Sequence, residues 1–376
     1  MTVIREPTGA SKESLARLGW NVYFQQFLRP EREERGETGE IDEREVGRVI
    51  APHGGLFKVA TEAGELLASL SGKLRLAADG GEGQRPAVGD WVILDARPNE
   101  GTATIRAILP RRTKLSRKSA GRATAEQVLA ANVDVAFLVS AMTRDLRPRR
   151  LERYLAIARE GGVNPVVVLT KSDLHEDAEA IRESLEAVTG GAKVHAVSNV
   201  TGAGLEELDA YFEGDATIVL LGSSGVGKST LINRFLEQEA QATRDIRVDG
   251  KGRHTTTHRE LFLRPGGGLV IDTPGMREIG LWDAGDGVGD LFADLEELAA
   301  RCRFRDCSHS GEPGCALEEA RRAGLLDAGR VESFQKLRRE AAFMEQQRDQ
   351  RARAEAKRFE KQLSRAQNAM KKQRRR

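Results

Sequence analysis

The segment Gly222-Ser223-Ser224-Gly225-Val226-Gly227-Lys228-Ser229 reads G-x-x-x-x-G-K-S. It sits between the apolar run Thr217 to Leu221 and the stretch Thr230 to Leu236, whose apolar residues recur at helical spacing. A buried strand that enters a glycine-rich turn and leaves it as a helix is the context a phosphate-binding loop requires, so this part of the chain is α/β with a parallel sheet. Gly222, Gly225 and Gly227 let the backbone pass close to phosphates, where successive N–H groups and the helix N-terminus face the negative charge. Lys228 reaches the β- and γ-phosphates in such a loop, the Ser229 hydroxyl ligates Mg²⁺, and Thr230 carries the turn into the helix. The loop alone does not choose between ATP and GTP.

The choice comes from Thr170-Lys171-Ser172-Asp173, which ends the apolar run Val166 to Leu169. It is similar to the N-K-x-D guanine motif, with Thr in the Asn position. An Asp carboxylate accepts hydrogen bonds from the guanine ring N–H and exocyclic amine together, whereas adenine offers no such pair of donors. Asp173 is therefore the expected specificity residue. The stem of Lys171 would lie along the base plane, and Thr170 would brace the loop in place of Asn. A second strand-like run, Lys193 to Val197, delivers Ser198-Asn199, where a backbone N–H would meet the guanine O6.

Beyond the phosphate loop, Gly268 to Ile271 reads as another buried strand and ends in Asp272-Thr273-Pro274-Gly275, a D-x-x-G. Asp272 would hold magnesium through a water, and the Gly275 N–H would sense the γ-phosphate. Between the two lies Gly252-Arg253-His254-Thr255-Thr256-Thr257-His258, in the position of a first switch. One of these threonines should close over Mg²⁺, Thr256 or Thr257 being favoured over Thr255, with Thr256 taken here. Met276 stands where a water-orienting Gln is usual and cannot perform that task. His254, the titratable side chain nearest the switch threonines, is the expected substitute once a partner orders the loop.

Base motif, second base loop, phosphate loop, first switch and D-x-x-G thus follow one another in an order that reads as a circular permutation. Permutation is tolerated because sheet and sites depend on spatial neighbours. The segment after the second switch is then expected to feel the nucleotide state.

That segment contains all three cysteines of the chain, as Cys302-x₄-Cys307-x-His309-x₅-Cys315. Three thiols and an imidazole within fourteen residues suffice for a closed tetrahedral Cys₃His site holding one structural zinc. Net charge is +2, but residues 336–376 carry 15 Lys and Arg against 5 Asp and Glu, so the tail holds +10 and the preceding 335 residues −8. This segregation points to a nucleic-acid partner for a long exposed basic helix. No apolar run of about 18 residues is present that could span a bilayer, and a cytoplasmic protein with no membrane partner is expected. Near the N-terminus, the apolar-aromatic piece Leu15 to Phe24 is expected to dock on the protein itself, a partner surface being the alternative, ahead of a charge-rich linker from Arg29 to Glu45. Five short strand-like runs follow, at 45–51, 56–60, 66–70, 88–95 and 102–109. They suit a small OB-type barrel, although an SH3-like barrel would read similarly.

Barrel, permuted T-K-S-D, G-S-S-G-V-G-K-S, G-R-H-T-T-T and D-T-P-G motifs, and C-x₄-C-x-H-x₅-C together resemble the ribosome small-subunit-dependent GTPase A family, RsgA. The resemblance spans about residues 40 to 335. It implies a GTPase that binds the small ribosomal subunit and its 16S-type rRNA late in maturation, is stimulated there, and leaves on hydrolysis of GTP to GDP. It carries Lys228, Ser229, Asp173, Asp272 and the four zinc ligands onto this chain. The expected layout is an N-terminal extension (1–40), an OB-fold RNA-binding domain (41–112), a circularly permuted GTPase domain (113–291), a zinc-binding domain (292–335) and a basic helical tail (336–376). Nothing requires more than a monomer. Two other readings are a GTP-gated RNA-binding module in which hydrolysis is incidental, and an ATP-dependent small-molecule kinase. The second is opposed by the lack of an acceptor-substrate motif or catalytic-base motif beside the loop.

Overall fold

The computed structural model describes residues 15–28, 46–80, 83–118, 126–143, 146–186, 188–237, 259–273 and 285–373. Period-two burial forms the first layer. Strands β1 (Val46–His53), β2 (Leu56–Thr61), β3 (Gly64–Leu70), β4 (Trp91–Arg97) and β5 (Thr102–Ile108) point Val49, Val59, Leu66, Val92, Leu94 and Ile105 into a shared core. Each fully buried branched aliphatic contributes about 1.5–3 kcal/mol. The strands close in the order β1-β2-β3-β5-β4. β3 and β5 pair in parallel, which requires a crossover. That crossover is helix α2 (Gly72–Gly80) together with β4, the four-residue α1 (Val22–Gln25) having come earlier. Strand order makes this an OB-type barrel and removes the SH3-like alternative. α2 was not legible as a helix, because glycines bound it and its apolar stripe is thin: Leu74 packs on the barrel core while Leu76 is 76% exposed.

The second layer is a six-stranded sheet in the order β10-β9-β8-β11-β13-β12. It uses β8 (Val135–Ala141), β9 (Asn164–Thr170), β10 (Lys193–Ala196), β11 (Thr217–Leu221), β12 (Glu260–Leu263) and β13 (Leu269–Asp272). β8 to β11 and β13 run parallel, and the edge strand β12 is antiparallel to β13. β8 is buried throughout, as a strand covered on both faces must be. Helices α3 (Pro148–Glu160), α4 (Ala178–Glu186) and α5 (Lys228–Phe235) belong to this layer. From β8 the chain runs outward through β9 and β10, then returns to β11 on the other side of β8. That reversal creates a topological switch point, and ligands of open α/β sheets bind outside the carboxyl ends of the strands there.

At the opposite ends of β8 and β11 the barrel is fixed to the sheet by one buried cation. Arg48, 1% exposed on β1, donates to the carbonyls of Leu18, Gly89 (3.3 Å) and Asn132 (3.0 Å), and to Thr217 Oγ1 (2.9 Å). Burial lowers its pKa to about 10, with the Asp134 carboxylate opposing, so it stays charged at neutral pH. Trp20 and Phe24 close over the same place, their ring centroids 4.7 and 5.8 Å from that of Trp91, so the N-terminal aromatic piece docks on the barrel as expected. Arg48→Ala leaves four buried acceptors without their donor, and an unmade buried hydrogen bond costs about 1–3 kcal/mol. Unfolding free energy from urea titration should fall by about 3 kcal/mol or more; a change below about 1 kcal/mol would show that water replaces the guanidinium.

Residues 117–127 and 280–376 form a second compact unit. It includes parts of the two-stranded sheet of β6 (Lys114–Lys118) and β7 (Glu126–Ala131), then α6 (Gly285–Leu291), α7 (Ala293–Ala299), α8 (Ala316–Arg322) and α9 (Ala328–Gln373). Its small core is built on Phe292, Leu295, Leu317 and Phe334, all fully buried; Phe292 and Phe334 lie 5.4 Å apart. α9 is the long helix expected for the basic tail, 46 residues in length.

Candidate nucleotide and metal sites

All four described loops of the nucleotide motifs lie at the carboxyl ends of parallel strands on the two sides of β8: 170–173 at the end of β9, 198–199 after β10, 222–229 after β11, and 272–273 at the end of β13. They therefore meet at the switch point. Gly222 passes so close to β8 that an added Cβ would lie 2.3 Å from the Val139 carbonyl oxygen. Gly227 has a left-handed φ of 98° and opens α5, so the backbone turns out of the loop into the helix. Ser223 is half-buried, and Ser224, Gly225, Ser229 and Thr230 are open to solvent. Val226 anchors the loop in the core.

The Lys228 ammonium folds back across the loop and donates to the carbonyls of Gly222 (2.8 Å) and Ser223 (2.7 Å). Burial lowers its pKa, with the Asp272 carboxylate opposing. Asp272 is raised, again by burial first, with Lys228 and a backbone hydrogen bond at Thr273 opposing. The two groups thus form a desolvated pair of opposite charge at the mouth of the loop. Thr273, fully buried, ties β13 to β11 by donating to the Leu220 carbonyl (2.7 Å). Ser229 and Asp272 offer a hydroxyl and a carboxylate, the hard oxygen donors that suit Mg²⁺.

Thr170 is fully buried and its hydroxyl donates to the Val226 carbonyl at 2.5 Å. It holds the base motif against the phosphate loop, the brace its position suggested. Lys171 takes a left-handed φ of 62°, a cost that non-glycine residues bear mainly at functional sites. The Ser172 N–H donates to the Val197 carbonyl (3.2 Å), and the Ser198 hydroxyl donates to Asp173 Oδ1 (2.5 Å) while accepting from the Val200 and Thr201 N–H groups. The two base loops are therefore stitched together, with the Asp173 carboxylate fixed in direction. The sequence points to the Ser198-Asn199 backbone as the group that faces guanine; that the Ser198 hydroxyl holds Asp173 is not signalled by it. His254, Thr255, Thr256, Thr257 and Gly275 lie outside the described residues.

Cys302, Cys307, His309 and Cys315 converge as expected, their ligand atoms all within 4.8 Å of one another. His309 Nδ1 lies 3.5 Å from Cys302 Sγ and 3.7 Å from Cys315 Sγ. Zinc–sulfur and zinc–nitrogen bonds of tetrahedral geometry put ligand atoms about 3.5–3.8 Å apart, so the cluster fits that metal. His309 adopts a left-handed φ of 58°, which a tight knuckle demands. The Glu312 carboxylate braces that knuckle by accepting from the Ser308 and Ser310 N–H groups (2.9 and 2.7 Å); the Ser308 hydroxyl above all holds its pKa down to about 2. The Cys307 thiol is pushed up to about 11, by burial first, with a backbone hydrogen bond at His309 opposing and the neighbouring thiols adding to the rise.

The family model for the RsgA GTPase matches residues 108–282. A protein of Syntrophotalea carbinolica named small ribosomal subunit biogenesis GTPase RsgA is 42% identical over 361 residues, covering 94% of this chain and 96% of that protein. One of the same name from Opitutus terrae is 44% identical, covering 93% and 95%. Among solved structures, YjeQ from Thermotoga maritima aligns with a TM-score of 0.58 at 28% identity, covering 79% of this chain and 98% of YjeQ. YloQ, a circularly permuted GTPase, aligns with a TM-score of 0.55 at 26% identity, covering 81% and 98%. With its described motifs gathered in permuted order at the carboxyl ends of the parallel strands, this chain belongs to the RsgA family of circularly permuted GTPases and is a GTP hydrolase.

Proposed function

We propose that this GTPase acts in late maturation of the small ribosomal subunit, is switched on by that subunit, and leaves it after hydrolysis. The observation that carries the reading is the joining, in one chain, of a permuted guanine-nucleotide site to an OB-type barrel, a Cys₃His cluster and a helix continuing into a tail of net +10. The RsgA relatives are named for small-subunit biogenesis. OB barrels commonly bind oligonucleotides, and a basic helix supplies sequence-independent phosphate contacts. The barrel (41–112) and tail (336–376) are the rRNA contacts in this reading, the segment 113–291 is the GTPase, and 292–335 forms a zinc-stapled domain. Among the described residues no helix is long and apolar enough to cross a membrane; a cytoplasmic site of action, as a monomer, accords with a ribosomal partner.

Asp173, with Ser172 and the Lys171 stem beside it, reads guanine, and the Ser198-Asn199 backbone meets O6. The amides of residues 222–227 and the Lys228 ammonium offset the charge that builds on the phosphates during attack by water. Ser229, Asp272 and Thr256 are the residues that would hold Mg²⁺. That ion, when bound, neutralises charge on the β- and γ-phosphate oxygens. Gly275 senses the γ-phosphate, and His254 is assigned to the attacking water in place of the missing glutamine. Because the usual water-orienting residue is replaced by Met276, intrinsic turnover should be slow. Purified small subunits should raise GTP turnover on the order of 10²-fold, the lower end of what a positioned catalytic group supplies. A flat response would discard the ribosomal reading and spare the GTPase.

A further inference from the structure

Guanine presents two acceptors side by side, O6 and N7, and the site as assigned provides a donor only for the first. Thr170, in the Asn position of the base motif, has a single hydroxyl hydrogen, and it is spent on the Val226 carbonyl at 2.5 Å. Threonine carries no amide with which to serve N7. Asn199, on the neighbouring base loop, does. Its Nδ2 leans on the Gly227 carbonyl at 3.4 Å, beyond the usual 2.7–3.2 Å of an N–H···O bond. Its Oδ1 is buried and has no partner among the described residues, an exception among buried polar atoms that calls for an explanation. The amide occupies space that exists only because residue 227 is glycine, since an added Cβ there would lie 2.9 Å from Nδ2. It is therefore held beside the start of α5 by one long bond that a ligand can replace at little cost.

We propose that Asn199 is the specificity residue for guanine N7, its side-chain amide donating to N7 while its backbone N–H meets O6. One residue then reads both acceptors of that edge, and Thr170 is released to act only as a brace on the phosphate loop. The assignment rests on the guanine reading of residues 170–173 and 198–199.

The test compares GDP with 7-deaza-GDP, in which a C–H replaces N7, on the full-length protein and its Asn199→Ala and Asn199→Asp variants. The wild-type protein should bind 7-deaza-GDP about five- to tenfold more weakly than GDP, the worth of one hydrogen bond. Asn199→Ala should lose the same factor for GDP and bind the two nucleotides alike. Asn199→Asp, which turns the donor into an acceptor, should bind 7-deaza-GDP at least as well as GDP. Each comparison is made within one variant, so a general loss of stability cancels. The proposal is overturned if the wild-type protein ignores the N7 substitution. It is equally overturned if Asn199→Ala weakens both nucleotides while keeping their ratio, which would make Asn199 a clip on the phosphate loop. Asp173→Asn tests the underlying reading separately. It should shift preference from guanosine toward xanthosine diphosphate, and an unchanged preference would remove the base site itself, whereas N7 indifference with a shifted preference would remove Asn199 alone.

Discussion

Lys228→Ala should abolish measurable GTP turnover, by about 10²- to 10³-fold at saturating GTP, the loss seen when one preorganised donor to a developing oxyanion is removed. The reason lies in how the ammonium is held. It is half-buried at the mouth of the loop, donates to the Gly222 and Ser223 carbonyls, and has its pKa lowered by burial. A desolvated cation of this kind acts far more strongly on nearby phosphate charge than one in water. Alanine leaves the carbonyls of buried Gly222 and half-buried Ser223 without that donor, so the thermal midpoint should fall by a few degrees, about the worth of one lost buried hydrogen bond. Guanine-nucleotide binding should weaken as well, because the ammonium also contacts the ground-state phosphates. Single-turnover rates at saturating GTP separate the two effects. A variant that hydrolysed GTP at the wild-type rate would displace Lys228 from the site, and with it the reading of residues 222–229 as the phosphate loop.

The nucleotide loops and the metal cluster could be read in the sequence because each is local: a few residues of fixed chemistry at fixed spacing. Glycines at 222, 225 and 227 before Lys228, and three cysteines with a histidine in fourteen residues, constrain backbone and ligand geometry without help from the rest of the chain. What could not be read depends on residues far apart in sequence. Arg48 meets Asn132 and Thr217 across 84 and 169 residues; its one local signal was a charge inside the apolar run Val46 to Ile50. Ser198 meets Asp173 across 25. Such contacts follow from strand order, which alternation of apolar residues does not fix. β8 and β12 escaped for different reasons. β8 is buried on both faces and shows no alternation, while β12 has four residues at a sheet edge, too few for any period. The barrel illustrates the limit in another way. Its strands were apparent from their turns, yet the OB assignment required the parallel β3–β5 pairing, which no single strand announces.

Loss of metal should have a still larger effect, confined to the second compact unit. α6, α7 and α8 have seven residues each, well below the length at which a helix is stable alone, and the buried core that unites them is a handful of side chains around Phe292 and Phe334. A structural zinc supplies about 10–16 kcal/mol in small metal-folded domains, more than such a core can replace. The ligands come from the knuckle between α7 and α8, and Cys315 is itself the N-cap of α8, so removing one ligand releases the turn, the helix start and the packing together. Purified protein should carry one zinc per chain. Cys315→Ala or His309→Ala should lose it, lose helical signal, and become open to proteolysis beyond residue 285. Nucleotide binding should survive, since its loops stand on the sheet of the other unit. His309→Cys decides between metal and packing. Four thiolates also make a closed tetrahedral zinc site, so this variant should keep the metal and the protease resistance that His309→Ala loses. Were His309→Ala to retain full helicity and resistance without zinc, the core around Phe292 and Phe334 would be holding the unit by itself, and the metal's structural role would have to be given up.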